Sequence, residues 1–128
     1  MSIVVLGSFG QLGRCLQDQL ADTHYPISYC SRAELDLCNN ATIDKKLAQM
    51  APDIIVNAAA YTAVDRAEVE PEEAAHINHL AVAKIADYCA QNSCYLLHVS
   101  TDYVFDGATR TPYRECDAAQ PKGVYGAS

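Results

Sequence analysis

The chain has 128 residues, with nine Lys and Arg against sixteen Asp and Glu for a formal net charge of −7, and half its residues are hydrophobic. That composition belongs to one folded domain rather than a disordered segment. The acidic balance argues against nucleic acid or an anionic membrane as partner, and no apolar run approaches the roughly 18–20 residues that span a bilayer.

Met1–Leu6 carries no basic leader before its apolar run. No export signal is read, and a cytoplasmic setting with reduced thiols is expected. Ser2–Leu6 is a short β-branched run, followed at once by glycines. Gln11–Ala21 places Leu12, Leu16 and Leu20 at a spacing of four, which predicts one helical stripe. Ile27–Cys30 is a second short run. Thr42–Met50 reads as a helix with Ile43, Leu47 and Met50 on one face, ended by Pro52. Asp53–Asn57 is a third strand, apolar enough to be covered on both sides. Pro71 opens a long helix, where its missing N–H costs nothing. Ile77, Ala81, Ile85 and Tyr88 give that helix its inner face. Cys94–Val99 is a fourth strand, and the chain from Ser100 onward is expected to be loop, with no terminal element.

The order β-α-β-α-β-α-β predicts an α/β fold: a Rossmann-type, doubly wound parallel sheet with helices on both faces. A parallel sheet that runs into a long open loop at Val124–Ser128 is expected to be C-terminally truncated, so residues 1–128 are read as an incomplete domain.

Cys15, Cys30, Cys38, Cys89, Cys94 and Cys116 form no C-x-x-C pair, and His24, His76, His79 and His98 have no ligand spacing with them. Buried or half-buried thiols and no metal are expected.

Three of the six glycines fall within Gly7-Ser8-Phe9-Gly10-Gln11-Leu12-Gly13, between the first strand and the first helix. A sharp turn, a close backbone approach to a pyrophosphate and tight helix–strand packing each need a small residue there. The following helix N-terminus aims free N–H groups at the phosphates. With no G-K-[ST], the loop is not a Walker motif. Dinucleotide binding is the expectation; a tight turn without a ligand is the alternative. At the end of the second strand, Ser31 and Arg32 stand where a carboxylate would favour NAD, which tilts the choice toward a 2′-phosphate and NADP. Glu34 nearby weighs the other way, and the alternative for Arg32 is a solvated surface cation.

Two further strand ends carry chemistry. After the third, Ala58, Ala59 and Ala60 are small enough for a flat cofactor to lie against the backbone, or for close helix–sheet packing. After the fourth, Ser100, Thr101 and Asp102 bring two hydroxyls and a carboxylate to the place where ligands sit in open α/β sheets. Helix capping by Ser100 or Asp102 is the alternative.

The glycine loop with Gln11-Leu12-Gly13, the stretch Asn57-Ala-Ala-Ala-Tyr-Thr-Ala-Val-Asp-Arg-Ala-Glu68, Ser100–Gly107, Pro112-Tyr113-Arg114-Glu115 and Tyr125-Gly126 come in one order. In that order the chain resembles the dTDP-4-dehydrorhamnose reductase family of extended short-chain dehydrogenase/reductases, over essentially its whole length. The resemblance implies reduction of the C4 keto group of dTDP-4-dehydro-L-rhamnose by NADPH or NADH, giving dTDP-L-rhamnose for bacterial surface polysaccharide. It places Gly10, Gln11 and Leu12 at the pyrophosphate, Asp36 and Leu37 near the adenine, Ala59, Ala60 and Thr62 along the middle of the cofactor, and Val99 beneath it. Thr101 and Asp102 would touch the sugar, Thr101 and Tyr125 would belong to a Thr/Tyr/Lys catalytic set, and Tyr125 would also contact the cofactor. The lysine would come four residues after Tyr125, one past Ser128. The 128-residue chain alone is therefore expected to have negligible activity. The partners expected are a dTDP-sugar, no nucleic acid and no membrane, with a homodimer left open. The rivals are a non-catalytic relative of the regulatory subunit type of methionine adenosyltransferase, a nucleotide-sugar epimerase, and a plain nucleotide-binding half-domain.

Overall fold

A computed structural model describes residues 1–128. Its elements are β1 (Ile3–Leu6), α1 (Gln11–Gln19), β2 (Ile27–Cys30), α2 (Asn40–Met50), β3 (Ile54–Asn57), α3 (Val64–Ala67), α4 (Pro71–Ala75), a π turn (His76–Leu80), α5 (Ala81–Asn92), β4 (Tyr95–His98), a 3-10 turn (Asp102–Val104) and α6 (Val124–Ala127). The four strands are parallel in the order β2-β1-β3-β4.

The chain steps from β1 to β2 in one direction, then crosses back from β2 to β3 and on to β4. Right-handed crossovers therefore put α1 on one face and α2 and α5 on the other. Register fixes which side chains meet them: Val4 lies beside Ile55, and Leu6 beside Asn57. Val4, Leu6 and Ile55 pack with Ile43 and Leu47 of α2 and Ile85 of α5 in one continuous core. Burying each large aliphatic side chain is worth about 1.5–3 kcal/mol, enough to hold two short helices that would not persist alone.

The opposite face is only partly covered. α1 is its one crossover helix, and at the sheet edge Tyr95 and Leu97 remain 77% and 56% exposed. α1 itself stops at Gln19, with Leu20 as its C-cap rather than a further turn. Its Leu16 and Leu20 are half-buried and Leu12 is exposed.

Three expectations are corrected. The helix opened by Pro71 is broken by the π turn, closed by an N–H of Ala81 on the carbonyl of His76. The region after Ser100 is not all loop: it holds the 3-10 turn, capped locally by Thr101, and α6, whose partners Glu68 and Asn78 are too distant in sequence to leave a local signal. Cys15 and Cys116 are exposed rather than half-buried, Cys15 because its side of α1 faces an open cleft.

Candidate functional site

The strand order reverses between β1 and β3, and ligands of open α/β sheets bind in the crevice above such a switch point. A cleft of about 1010 Å³ opens there, rimmed by the carboxyl ends of all four strands, the start of α1 and the end of α6.

The glycine loop forms its floor. Gly7 has φ +79°, and a Cβ there would lie 2.7 Å from the backbone nitrogen of Ala59. Only glycine fits both the left-handed backbone and the contact between the two strand ends. Gly13 sits under the loop rather than in the cleft: a Cβ on it would run into the carbonyl of Gly7 and come within 2.8 Å of the Ser8 Cα. Gly7, Gly10, Gln11 and Leu12 line the cleft. α1 starts with no side-chain cap and no acidic residue in its first turn, so its first N–H groups stay open for an anion. Gln17 secures the loop by donating 2.7 Å to the Ser8 carbonyl.

At the end of β2, Arg32 lines the cleft with its side chain 69% exposed, its Nε 3.4 Å from Asp36. Asp36 and Leu37 line the same end, Leu37 as part of the core beneath it. Ser31 does not line the cleft. Its N–H and hydroxyl both donate to the Glu34 carboxylate, at 2.8 and 2.9 Å. Those two bonds hold the Glu34 carboxyl below its usual range and commit both residues to the turn. Of the two residues, Arg32 lines the cleft and Ser31 lies outside it, bonded to Glu34.

At the end of β3, Ala59, Ala60 and Thr62 line the cleft. Asn57, buried to 1% exposure, shapes this loop: its Oδ1 accepts the N–H of Ala59 at 3.1 Å, and its Nδ2 lies 3.1 Å from Nδ1 of His98. Asn78, carried by the π turn, accepts the N–H of Tyr61 at 2.9 Å and donates to its carbonyl at 3.1 Å.

At the end of β4, Val99 and Thr101 line the cleft, as does Tyr125 from α6. The cap of the 3-10 turn falls on Thr101, not on Ser100 or Asp102: its Oγ1 accepts the N–H of Tyr103 at 3.2 Å and donates toward Asp102 at 3.3 Å. Asp102 faces a second, smaller hollow of about 570 Å³ beside the cleft, which shares Tyr125 with it. The Tyr103 and Tyr125 rings meet edge to face, 5.4 Å between centroids.

The site residues that sequence reasoning missed are Asn57, Asn78 and His98. Asn57 left a signal, the one polar residue in an otherwise apolar strand. Asn78 left none, because a π turn looks like any helical stretch in a sequence.

The family described as RmlD substrate binding domain matches residues 1–128. A dTDP-4-dehydrorhamnose reductase of Sinorhizobium fredii is 43% identical over 128 residues, covering all of this chain and 43% of that protein. The crystal structure of a dTDP-4-dehydrorhamnose reductase from Clostridium acetobutylicum superposes with a TM-score of 0.95 at 33% identity, over 99% of this chain and 45% of that one. One from Bacillus anthracis, in complex with NADP, gives 0.93 at 34% identity, over 99% and 46%. A UDP-glucose 4-epimerase from Brucella ovis shares the fold alone, with a TM-score of 0.85 at 19% identity over 98% and 43%. The chain spans less than half the length of the curated relatives it matches.

Proposed function

The chain belongs to the RmlD substrate binding domain family, and from that premise we propose that residues 1–128 are the incomplete, NAD(P)-binding Rossmann part of a dTDP-4-dehydrorhamnose reductase. The observation that carries this reading is the cleft at the switch point, which gathers the open start of α1, the alanines after β3, and the hydroxyl-bearing Thr101 and Tyr125. A dinucleotide fits the donor set: open N–H groups for a pyrophosphate, Arg32 for a 2′-phosphate, and small residues where a flat ring would lie. NADPH or NADH, when bound, supplies the hydride that ketone reduction requires.

This chain's residues supply the rest. Tyr125 is the acid whose phenol O–H passes a proton to the C4 oxygen of the sugar. Thr101 holds that oxygen in place, turning its hydroxyl proton away from Asp102 to do so. Asp102, in the adjoining hollow, contacts the sugar's remaining hydroxyls. Family membership supports a dTDP-sugar as substrate and a cytoplasmic place of work.

Isothermal titration of the 128-residue chain with NADPH and NADH tests the cofactor half of the reading; weak but saturable binding is expected, and no heat with either cofactor at millimolar concentration would refute it. In the full-length protein, Tyr125→Phe removes turnover of dTDP-4-dehydro-L-rhamnose while leaving cofactor affinity in place. Cofactor binding without any turnover by the full-length parent would instead favour a non-catalytic scaffold.

A further inference from the structure

Pro112-Tyr113-Arg114-Glu115 takes no part in the cleft, but its tyrosine lines the smaller hollow together with Asp102, Tyr103 and Phe105. Residues 105–123 contain no helix or strand. Irregular loops of that length in a folded domain are usually functional or disordered. This one is pinned to the 3-10 turn at two points. The N–H of Gln120 donates 2.8 Å to the carbonyl of Val104. Nearer the turn, the Tyr113 ring lies parallel to Phe105, with 4.4 Å between centroids and 7° between planes. The Tyr113 hydroxyl donates to Asp106 Oδ1, and the N–H of Ala108 reaches both oxygens at 3.0 Å. Those donors, the Tyr113 hydroxyl first, hold the Asp106 carboxyl below its usual range.

Phe105 and Asp106 follow Val104 directly, so a partner that holds both of them fixes how the 3-10 turn leaves the sheet. The turn in turn meets α6. The Tyr103 ring packs on Tyr125, and the Tyr103 carbonyl lies so close to Gly126 that a Cβ there would run into it. We propose that Tyr113 is a positioning residue for the 3-10 turn, acting through Phe105 and Asp106, and thereby sets where Asp102 meets the sugar; the functional meaning of this brace rests on the reading of the hollow as the sugar's side of the site. The Tyr113 hydroxyl proton is committed to Asp106, so the residue acts through the wall it holds and has no proton to offer the sugar.

Tyr113→Phe keeps the ring and its stack and removes only the hydroxyl. In the full-length protein it is expected to raise the KM for dTDP-4-dehydro-L-rhamnose about tenfold, with kcat within about twofold of the parent and NADPH affinity unchanged. Asp106→Ala removes the acceptor and should reproduce that rise, while Asp106→Asn, which keeps an acceptor oxygen, should fall between Asp106→Ala and the parent. Because the two side chains act as one unit, adding Tyr113→Phe to Asp106→Ala should raise KM no further. A parental KM in Tyr113→Phe, additive effects in the double variant, or an equal loss of NADPH affinity would each overturn the brace. Amide hydrogen exchange on the 128-residue chain reads the brace without turnover. The Val104 and Phe105 amides, which bond the carbonyls of Thr101 and Asp102, should exchange about fivefold faster in Tyr113→Phe, with the β1 and β3 amides unchanged. Parental exchange at residues 104 and 105 would also overturn it. Absence of turnover by the full-length parent is a separate result: it removes the reductase reading and leaves the exchange outcome to judge the brace.

Discussion

Asn57 and His98 are register partners at the carboxyl ends of β3 and β4, with Asn57 Nδ2 3.1 Å from His98 Nδ1. The N–H of Ala59 is an unambiguous donor, so it fixes the Asn57 amide with Oδ1 toward Ala59 and the NH2 toward the ring. His98 Nδ1 must then accept, which puts the proton of the neutral ring on Nε2. Asn57 is buried, and truncating it strands the Ala59 N–H. Asn57→Ala should cost about 1–3 kcal/mol, the penalty for an unsatisfied buried group. Urea unfolding measures it, and an unchanged midpoint would show that the bridge does not contribute.

His98 also gives a pH dependence. Desolvation of the ring against the sheet edge lowers the His98 pKa from its ordinary value near 6.5. A group depressed in the folded state binds its proton more readily when unfolded. Its contribution is therefore complete above about pH 6.5 and is lost as pH falls through the lowered folded value. Stability should begin to drop as pH falls below about 6.5 and should stop changing only once pH is below the lowered folded value. His98→Gln, which still offers an acceptor to Asn57, should flatten that segment of the profile. An identical slope in the variant would reject His98 as the source.

Gly7→Ala meets two obstacles at once, φ of +79° and the Ala59 backbone 2.7 Å from the new methyl. A left-handed alanine costs about 1 kcal/mol, and overpacking against main chain adds about 1–3 kcal/mol. A lowered melting temperature is expected, together with loss of NADPH binding, because the loop and the Ala59 loop must separate. A variant with parental stability would mean that the contact relaxes freely.

On the proposed reading, Arg32 is the cation that lines the cleft where a 2′-phosphate would sit, with Ser31 and Glu34 engaged with each other. Charge-assisted hydrogen bonds of this type are worth about 1.5–3 kcal/mol. Arg32→Ala should therefore weaken NADPH binding by about tenfold or more and leave NADH nearly unchanged. Parallel calorimetric titrations compare the two. Equal loss for both cofactors would assign Arg32 to another part of the nucleotide.

Local chemistry determined much of this protein in advance. Four short β-branched or apolar runs, separated by helical periodicity, are enough to specify a parallel sheet, and the glycines between the first strand and the first helix specify a turn in which a side chain at Gly7 or Gly13 would run into main chain. Those signals act over a few residues, so the sequence alone could carry them. Tertiary structure alone decided what depends on groups far apart in the chain. Glu68 meets Val124 and Asn78 meets Ser128, fifty or more positions away, and these bonds create a helix where the sequence reads as loop. That Ser31 bonds Glu34, and that Asn57 supports the loop after β3, turned on which partner each polar group found. Hydrogen-bond pairing inside a fold is settled by distance in space, and spacing along the sequence does not report it.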